Sequence, residues 1–428
     1  MKRIILALLF ATLSKAQTLP TFYVTTSNIA SSSLKSFASI ESIDINGPCL
    51  LAMQNAPSNN LGAYMQIKLL RYNNNSYTDI SNYTNYIQMI LPSAWYVEDM
   101  TGDGLQDIVI TGEGIDQYPS SGELVRILVQ TSDGRLLDET SERLPQNSLV
   151  AHGMAVADIN NKGSKDILIC TLSKGVSEGA TKGTRFYIND GTGHFTDSND
   201  RLPADILNIQ VTSAAFLDIN NDGYADVVLG TNINLPNIVL INDGTGHFNR
   251  NSNYTIPPKL FGSNGVTVKM LAADLNNDGK NDLLLATTNN YKQAGLQVLV
   301  QQSDGTFVDT TASSGIMFDP INDLWVRKIQ VADINGDGIP DILLTVVGPN
   351  DWPGHAKVFL GQGNGRYVDE SSMLSMTGYD YKAVDLNGDD NMDLVAMNNN
   401  VVFTEIQNPP PTPILTNASK LTRSIRMH

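Results

Sequence analysis

One pattern recurs along almost the whole chain and limits what it can fold into: an apolar run, the nine-residue element D-x-[NDT]-x-D-G-x-x-D, then a second apolar run. Copies begin at Asp99, Asp158, Asp218, Asp274, Asp333 and Asp385, with a broken one at Asp44, so successive starts lie 52 to 60 residues apart. A steady period of this length means one supersecondary unit repeated, here seven times. Neighbouring units then bury together a core that none could bury alone.

Within each unit the periodicity is that of strands. In the sixth, residues 325–332 and 342–347 are β-rich runs flanking the acidic loop, and residues 356–360 lead through the turn 361–365 into 366–369. Asp-Gly turns between apolar runs, as at Asn189-Asp190-Gly191, Asn242-Asp243-Gly244, Ser303-Asp304-Gly305 and Ser132-Asp133-Gly134, are hairpin signals. Four short antiparallel strands per unit describe a propeller blade, so an all-β, seven-bladed β-propeller is expected over residues 17–408. The seventh unit supplies only three strands before Pro409-Pro410-Pro411, which cannot continue a ladder. Residues 21–27 precede the first blade and have no other partner. They are expected to form the outer strand of the last blade, and residues 409–428 a Pro-rich disordered tail.

These units resemble FG-GAP or VCBS repeats, as in the integrin α-subunit propeller and related secreted propellers, over about residues 20–407. The six loops at blade spacing carry the likeness. Of the name-giving tags, Phe261-Gly262 is a clear FG and Gly348-Pro349 only approximates a GAP. The resemblance implies that ligands meet the face opposite the acidic loops.

The loops themselves point to calcium, a hard ion that takes about six to eight oxygens. Asp or Asn at positions one, three and five converge, Gly at position six permits the sharp turn, and Asp at position nine closes the shell. The predicted ligands are Asp99, Thr101, Asp103 and Asp107; Asp218, Asn220, Asp222 and Asp226; Asp274, Asn276, Asp278 and Asp282; Asp333, Asn335, Asp337 and Asp341; and Asp385, Asn387, Asp389 and Asp393. That makes about five structural sites. An EF-hand is excluded because position twelve is Ile110, Leu229, Leu285, Leu344 or Ala396 instead of Glu, and the flanks are strands. The Asp158 loop carries Lys162 at position five, where the ammonium is expected to neutralise Asp158 and Asp166 in place of a metal. The Asp44 loop, with Pro48 and Cys49, binds nothing. Three carboxylates in nine residues repel one another without a counter-ion, which weighs against purely metal-free Asx-turns.

The net charge of −16 argues against nucleic acid and anionic membranes as partners. Residues 1–16 read as a signal peptide, with Lys2 and Arg3, an apolar run over 4–13 and the small-x-small site Ser14-Lys15-Ala16. A secreted monomer without a membrane anchor is expected, and sequons at Asn74, Asn82, Asn253 and Asn417 would make it a glycoprotein where the host glycosylates. Cys49 and Cys170, in the first and third repeats, are expected to be free buried thiols.

Repetition separates scaffold from function. His194 and His247 recur in GTGHF hairpins and belong to the scaffold, whereas Asp116, Tyr118, Tyr291, Lys292, Asp351, Trp352 and His355 are unrepeated loop residues. Trp95, His152, Trp325 and Tyr381 sit on first strands, near the expected channel mouth. No G-x-S-x-G, H-E-x-x-H or P-loop signature is present, so catalysis is not expected. The partner is an extracellular protein or glycan. Adhesion or protein recognition is the leading reading, a lectin the second, and a polysaccharide lyase using His152 or His355 the third.

Overall fold

The computed structural model describes residues 22–28, 37–54, 67–73, 76–81, 89, 92–114, 121–172, 181–349, 354–376, 378–398 and 401–407. They form seven four-stranded antiparallel sheets arranged as the blades of a propeller. First strands are Phe37–Asp44, Pro92–Glu98, Ala151–Ala157, Val211–Leu217, Gly265–Ala273, Trp325–Ala332 and Asp380–Val384, and each is followed by its acidic turn and a second strand. The seven-bladed ring expected from the repeat is therefore present.

Second strands are sandwiched between blades and are mostly apolar after the closing aspartate that starts them. Asp107–Gly112, Asp166–Thr171 and Asp226–Thr231 are buried at every position. Because successive strand side chains point to opposite faces, alternate residues serve alternate neighbours. Ile108 and Ile110 pack towards blade one with Leu51 and Leu69, while Val109 packs towards blade three with Ile167 and Ile169. Leu168 and Cys170 in turn join Val227 and Leu229 of blade four. The core is thus a set of seams between blades, and no blade holds its own.

The ring closes as the strand count requires. Phe22–Asn28 pairs antiparallel with Val401–Gln407, from Phe22 opposite Gln407 to Asn28 opposite Val401. It is the outer strand of the seventh sheet. Blade seven meets blade one where Ile40 N donates to Asp380 Oδ2 (2.9 Å) and where the Tyr77 and Thr404 hydroxyls share a hydrogen bond (2.7 Å). Cys49 and Cys170 are free and buried. The proposed signal peptide and the tail lie outside the described residues.

Two features have no counterpart in the repeat pattern. Single helical turns, Thr140–Arg143 and Thr311–Ser314, occupy connections between blades. In six blades a β-bulge interrupts the start of the first strand, between residues 37 and 39, 92 and 94, 151 and 153, 211 and 213, 267 and 269, and 326 and 328. A bulge re-aims a side chain by inserting one residue, and that leaves no mark in composition.

Candidate functional site

The acidic turns all lie on one face and share one hydrogen-bonding scheme. In blade four, Asp218 accepts from Asp222 N (3.1 Å) and Gly223 N (2.8 Å), and the Asn220 amide donates to Asp222 Oδ2 (2.8 Å). The same contacts recur around Asp274 and Asp333. Position six is left-handed in every complete loop, at Gly104, Gly163, Gly223, Gly279, Gly338 and also Asp390 (φ 66°). Asp tolerates that region better than most residues with a Cβ, so the seventh blade keeps the turn without glycine. Neighbouring turns are tied together: Asn161 Nδ2 donates to Gly223 O (3.0 Å) and Asn277 Nδ2 to Gly338 O (3.1 Å).

The position-nine carboxylate does something the motif alone does not reveal. Asp226 is fully buried; its Oδ2 accepts from Ile219 N (2.9 Å) in the loop and its Oδ1 from Asn242 N (2.7 Å) on the third strand. Asp107, Asp166, Asp282, Asp341 and Asp393 repeat both contacts. The third-strand residue then carries the link to the preceding blade: Asn189 Nδ2 reaches Met100 O (2.8 Å), Asn242 Nδ2 reaches Ile159 O (2.7 Å) and Gln301 Nε2 reaches Ile219 O (3.1 Å). Burial pushes these carboxyls up, to about 6 for Asp107, Asp166, Asp226, Asp282 and Asp393 and about 7 for Asp341. The nearby loop carboxylates add to the rise, and the backbone hydrogen bonds oppose it.

Whether these turns suit a metal is decided by their donors and their charge. Among the described residues no three Asp, Glu, His or Cys side chains converge on one point. Position three is an amide or hydroxyl, and position nine is turned towards backbone N–H groups. Yet every donor is an oxygen, and none of the loop carboxylates forms an ion pair with Lys, Arg or His among the described residues. The set fits a hard divalent cation in kind. Lys162 departs from expectation: it is exposed and forms no ion pair with Asp158 or Asp166. Its backbone N–H, not its ammonium, meets Asp158 (3.0 Å), because position five is held by the turn while the long side chain runs to water.

The opposite end of the first strands surrounds a central cavity of about 300 Å³, lined from all seven blades. Here Lys328 lies 3.4 Å from both Glu41 and Asp380 and donates to Ile40 O (2.5 Å), while Lys382 pairs with Glu41. Burial alone would raise the Glu41 carboxyl, but Lys328 and Lys382 outweigh it and hold it down at about 2. A carboxyl depressed on folding stabilises fully above its unfolded value, about 4.3, and the benefit is lost as pH falls through the folded value. The stability gap between the native protein and Glu41→Gln, read from urea melts, is therefore expected to narrow steadily from about pH 5 to about pH 2.5. A gap independent of pH would remove the network from the stability account.

A family model described as FG-GAP-like repeat matches residues 99–169, 176–229, 218–285, 274–344 and 333–396, well over half the chain. The chain belongs to the FG-GAP-like repeat family. No curated protein matches it. Four of the five matched FG-GAP segments run from one acidic turn to just beyond the next, and 176–229 starts after the turn at Asp158, so the turn-to-turn interval is the repeating unit.

On this FG-GAP ring the unrepeated residues separate into three groups. Trp95 lines the cavity; His152 sits in the bulge of blade three, 3.5 Å from Glu113. Burial holds the His152 imidazole down at about 4. Trp325 packs edge-on against Tyr291, whose ring is 46% exposed. Tyr381 belongs to the core instead of the channel: it is 2% exposed and its hydroxyl accepts from Gly378 N (2.7 Å). His355 is engaged with buried Asp323 (2.7 Å), which Lys357 also approaches (3.3 Å). Asp116, Tyr118, Asp351 and Trp352 lie outside the described residues. The channel charges Glu41, Lys269, Lys328 and Lys382 were not singled out from the sequence. Their signal is that they are charged at positions filled by small or apolar residues in other repeats.

Proposed function

We propose that this FG-GAP propeller is a secreted protein-recognition module that binds its partner through the face opposite the acidic turns, with calcium as a structural ion. One observation carries the reading. Of the seven exposed large apolar residues among the described residues, Ile233, Tyr291, Met317 and Ile321 lie on connections of that face, and none lies on an acidic turn. Met317 and Ile321 are 74% and 73% exposed. Apolar side chains held out in water on one face mark an interaction surface. They favour a protein over a glycan, whose hydroxyls need polar partners that Met and Ile cannot supply.

Calcium would be held by the oxygens of positions one, three, five and nine in the five loops predicted to bind it. It would supply positive charge to turns that have no basic partner. The protein's own residues do the rest: the Asp–backbone links fix each turn against its blade, and the Asn and Gln amides couple one blade to the next. No catalytic step belongs to this reading.

The test is to pan calcium-loaded protein against a displayed peptide library and against a glycan array. Enrichment of peptides that Tyr291→Ala and Ile321→Ser abolish supports protein recognition. Retention by glycans alone would make the protein a lectin and overturn it.

A further inference from the structure

We propose that the channel mouth is a carboxylate-binding site centred on Lys269, and that it takes the C-terminal residue of a protein partner, apolar side chain inward and carboxylate on the ammonium. This deepens the recognition reading and rests on it.

The repeat makes the site visible. In blades two to seven the residue opposite the fourth position of the second strand beyond the closing aspartate is Ala94, Gly153, Ser213, Lys269, Lys328 and Asp380. One half of this tier is small and the other half charged, so the channel is roomy on one side and polar on the other. Gly153 has its own reason to be small, since a Cβ there would lie 2.9 Å from Thr212 O. Ala94 and Ser213 leave room without such a constraint.

The charges on the polar side are not equally engaged. Lys328 is shared between Glu41 and Asp380, and Lys382 is paired with Glu41. Lys269, half-buried in the cavity wall, makes a single hydrogen bond, to Ser93 O (3.1 Å), and no ion pair among the described residues. An ammonium has three donors, so two remain for a ligand. Arg327, from the bulge of blade six, lines the same cavity and adds positive charge. Burial holds Lys269 below its ordinary pKa, with Glu113 opposing and Arg327 reinforcing that shift, so an incoming anion relieves a cost already present.

Below this tier the walls change character. Met154, Met270, Leu271, Ile329 and Trp95 line the next levels, towards the acidic-turn face. Thioethers on flexible stems adapt to apolar side chains of varied shape, and they offer nothing to sugar hydroxyls. Cation at the rim and apolar floor fit an apolar group with a carboxylate beside it. A polypeptide ending in a residue such as leucine has that pattern, and about 300 Å³ is near the lower end of ligand-binding cavities.

The probe is the pentapeptide Gly-Gly-Ser-Gly-Leu with a free C-terminus, titrated by calorimetry, beside its C-terminal amide and octanoate. The free-acid peptide is expected to bind. The amide and the Lys269→Met variant should each lose roughly tenfold to a hundredfold, as for a charged hydrogen bond. Lys269→Arg keeps the charge and should keep binding, which separates loss of the site from loss of fold; melting curves of both variants complete that control. Equal binding of acid and amide, binding indifferent to Lys269→Met, or no binding at all would overturn the proposal. Binding of octanoate but not of the peptide would assign the site to a free apolar acid and overturn the protein-terminus reading. Internal peptides that bind the native protein and Lys269→Met alike would leave recognition standing and sink only this site.

Discussion

Asp166→Ala is expected to destabilise the protein by about 3–5 kcal/mol, and by the same amount with calcium or with chelator. Asp226→Ala should cost that amount in chelator and more in calcium, where it also gives up a proposed ligand. The reason is the set of backbone N–H groups each carboxylate satisfies. Asp226 accepts from Ile219 and Asn242 at normal hydrogen-bond lengths, and Asp166 from Asn189 (2.9 Å) and, at greater length, from Ile159 (3.4 Å). Both carboxylates are fully buried, so no water replaces them. Each buried donor left unpaired costs about 1–3 kcal/mol, with cavity formation on top. Asn does not rescue the site, because its amide nitrogen would face one of the two N–H donors. The comparison with Asp222→Ala gives the experiment its edge. Asp222 is exposed on the turn and donates nothing to the blade interior, so its loss should matter in calcium and vanish in chelator. Urea unfolding at neutral pH measures all three. An Asp166→Ala protein within about 1 kcal/mol of the native one would remove the position-nine carboxylate from the frame.

How much of this was legible in the sequence follows from what each signal depends on. The blade number, the strand-turn-strand order and the closing role of residues 22–28 depend on local patterns and on counting, and they were readable. So was the left-handed strain at Asp390, because it follows from one missing glycine. The interblade hooks were half readable: Asn189-Asp190-Gly191 announces a turn, but the Asn189 amide reaches Met100, 89 positions back. The cavity was hardest. Ile40 and Asp380 meet across 340 positions, and the bulges that aim His152 and Arg327 leave no compositional trace. Lys162 shows the converse error: a charge at a ligand position invites a pairing that the backbone's direction at that turn does not allow.

Stripping calcium is expected to lower the melting temperature by roughly 8 °C. Five sites at tenfold saturation contribute about 1.4 kcal/mol each, or about 7 kcal/mol together. An unfolding entropy of about 2.1 cal/mol/K per residue over about 390 residues converts that into the stated shift. Calcium should restore the melt, and magnesium should do so poorly, since it keeps its waters and demands a tighter octahedron than these turns offer. The third blade provides a gain-of-function control. Its turn keeps Asp158, Asn160, Gly163 and Asp166 and differs at position five, where Lys162 projects into solvent. Lys162→Asp supplies the missing oxygen donor, so the calcium-dependent part of the stability should rise by about 1.4 kcal/mol, one further site's worth at the same saturation. In chelator the same substitution should be neutral or slightly destabilising, because a third carboxylate joins Asp158 and Asp166 without a counter-ion. A melt that ignores both chelator and Lys162→Asp would leave the turns as hydrogen-bonded caps, carrying their charge without a metal.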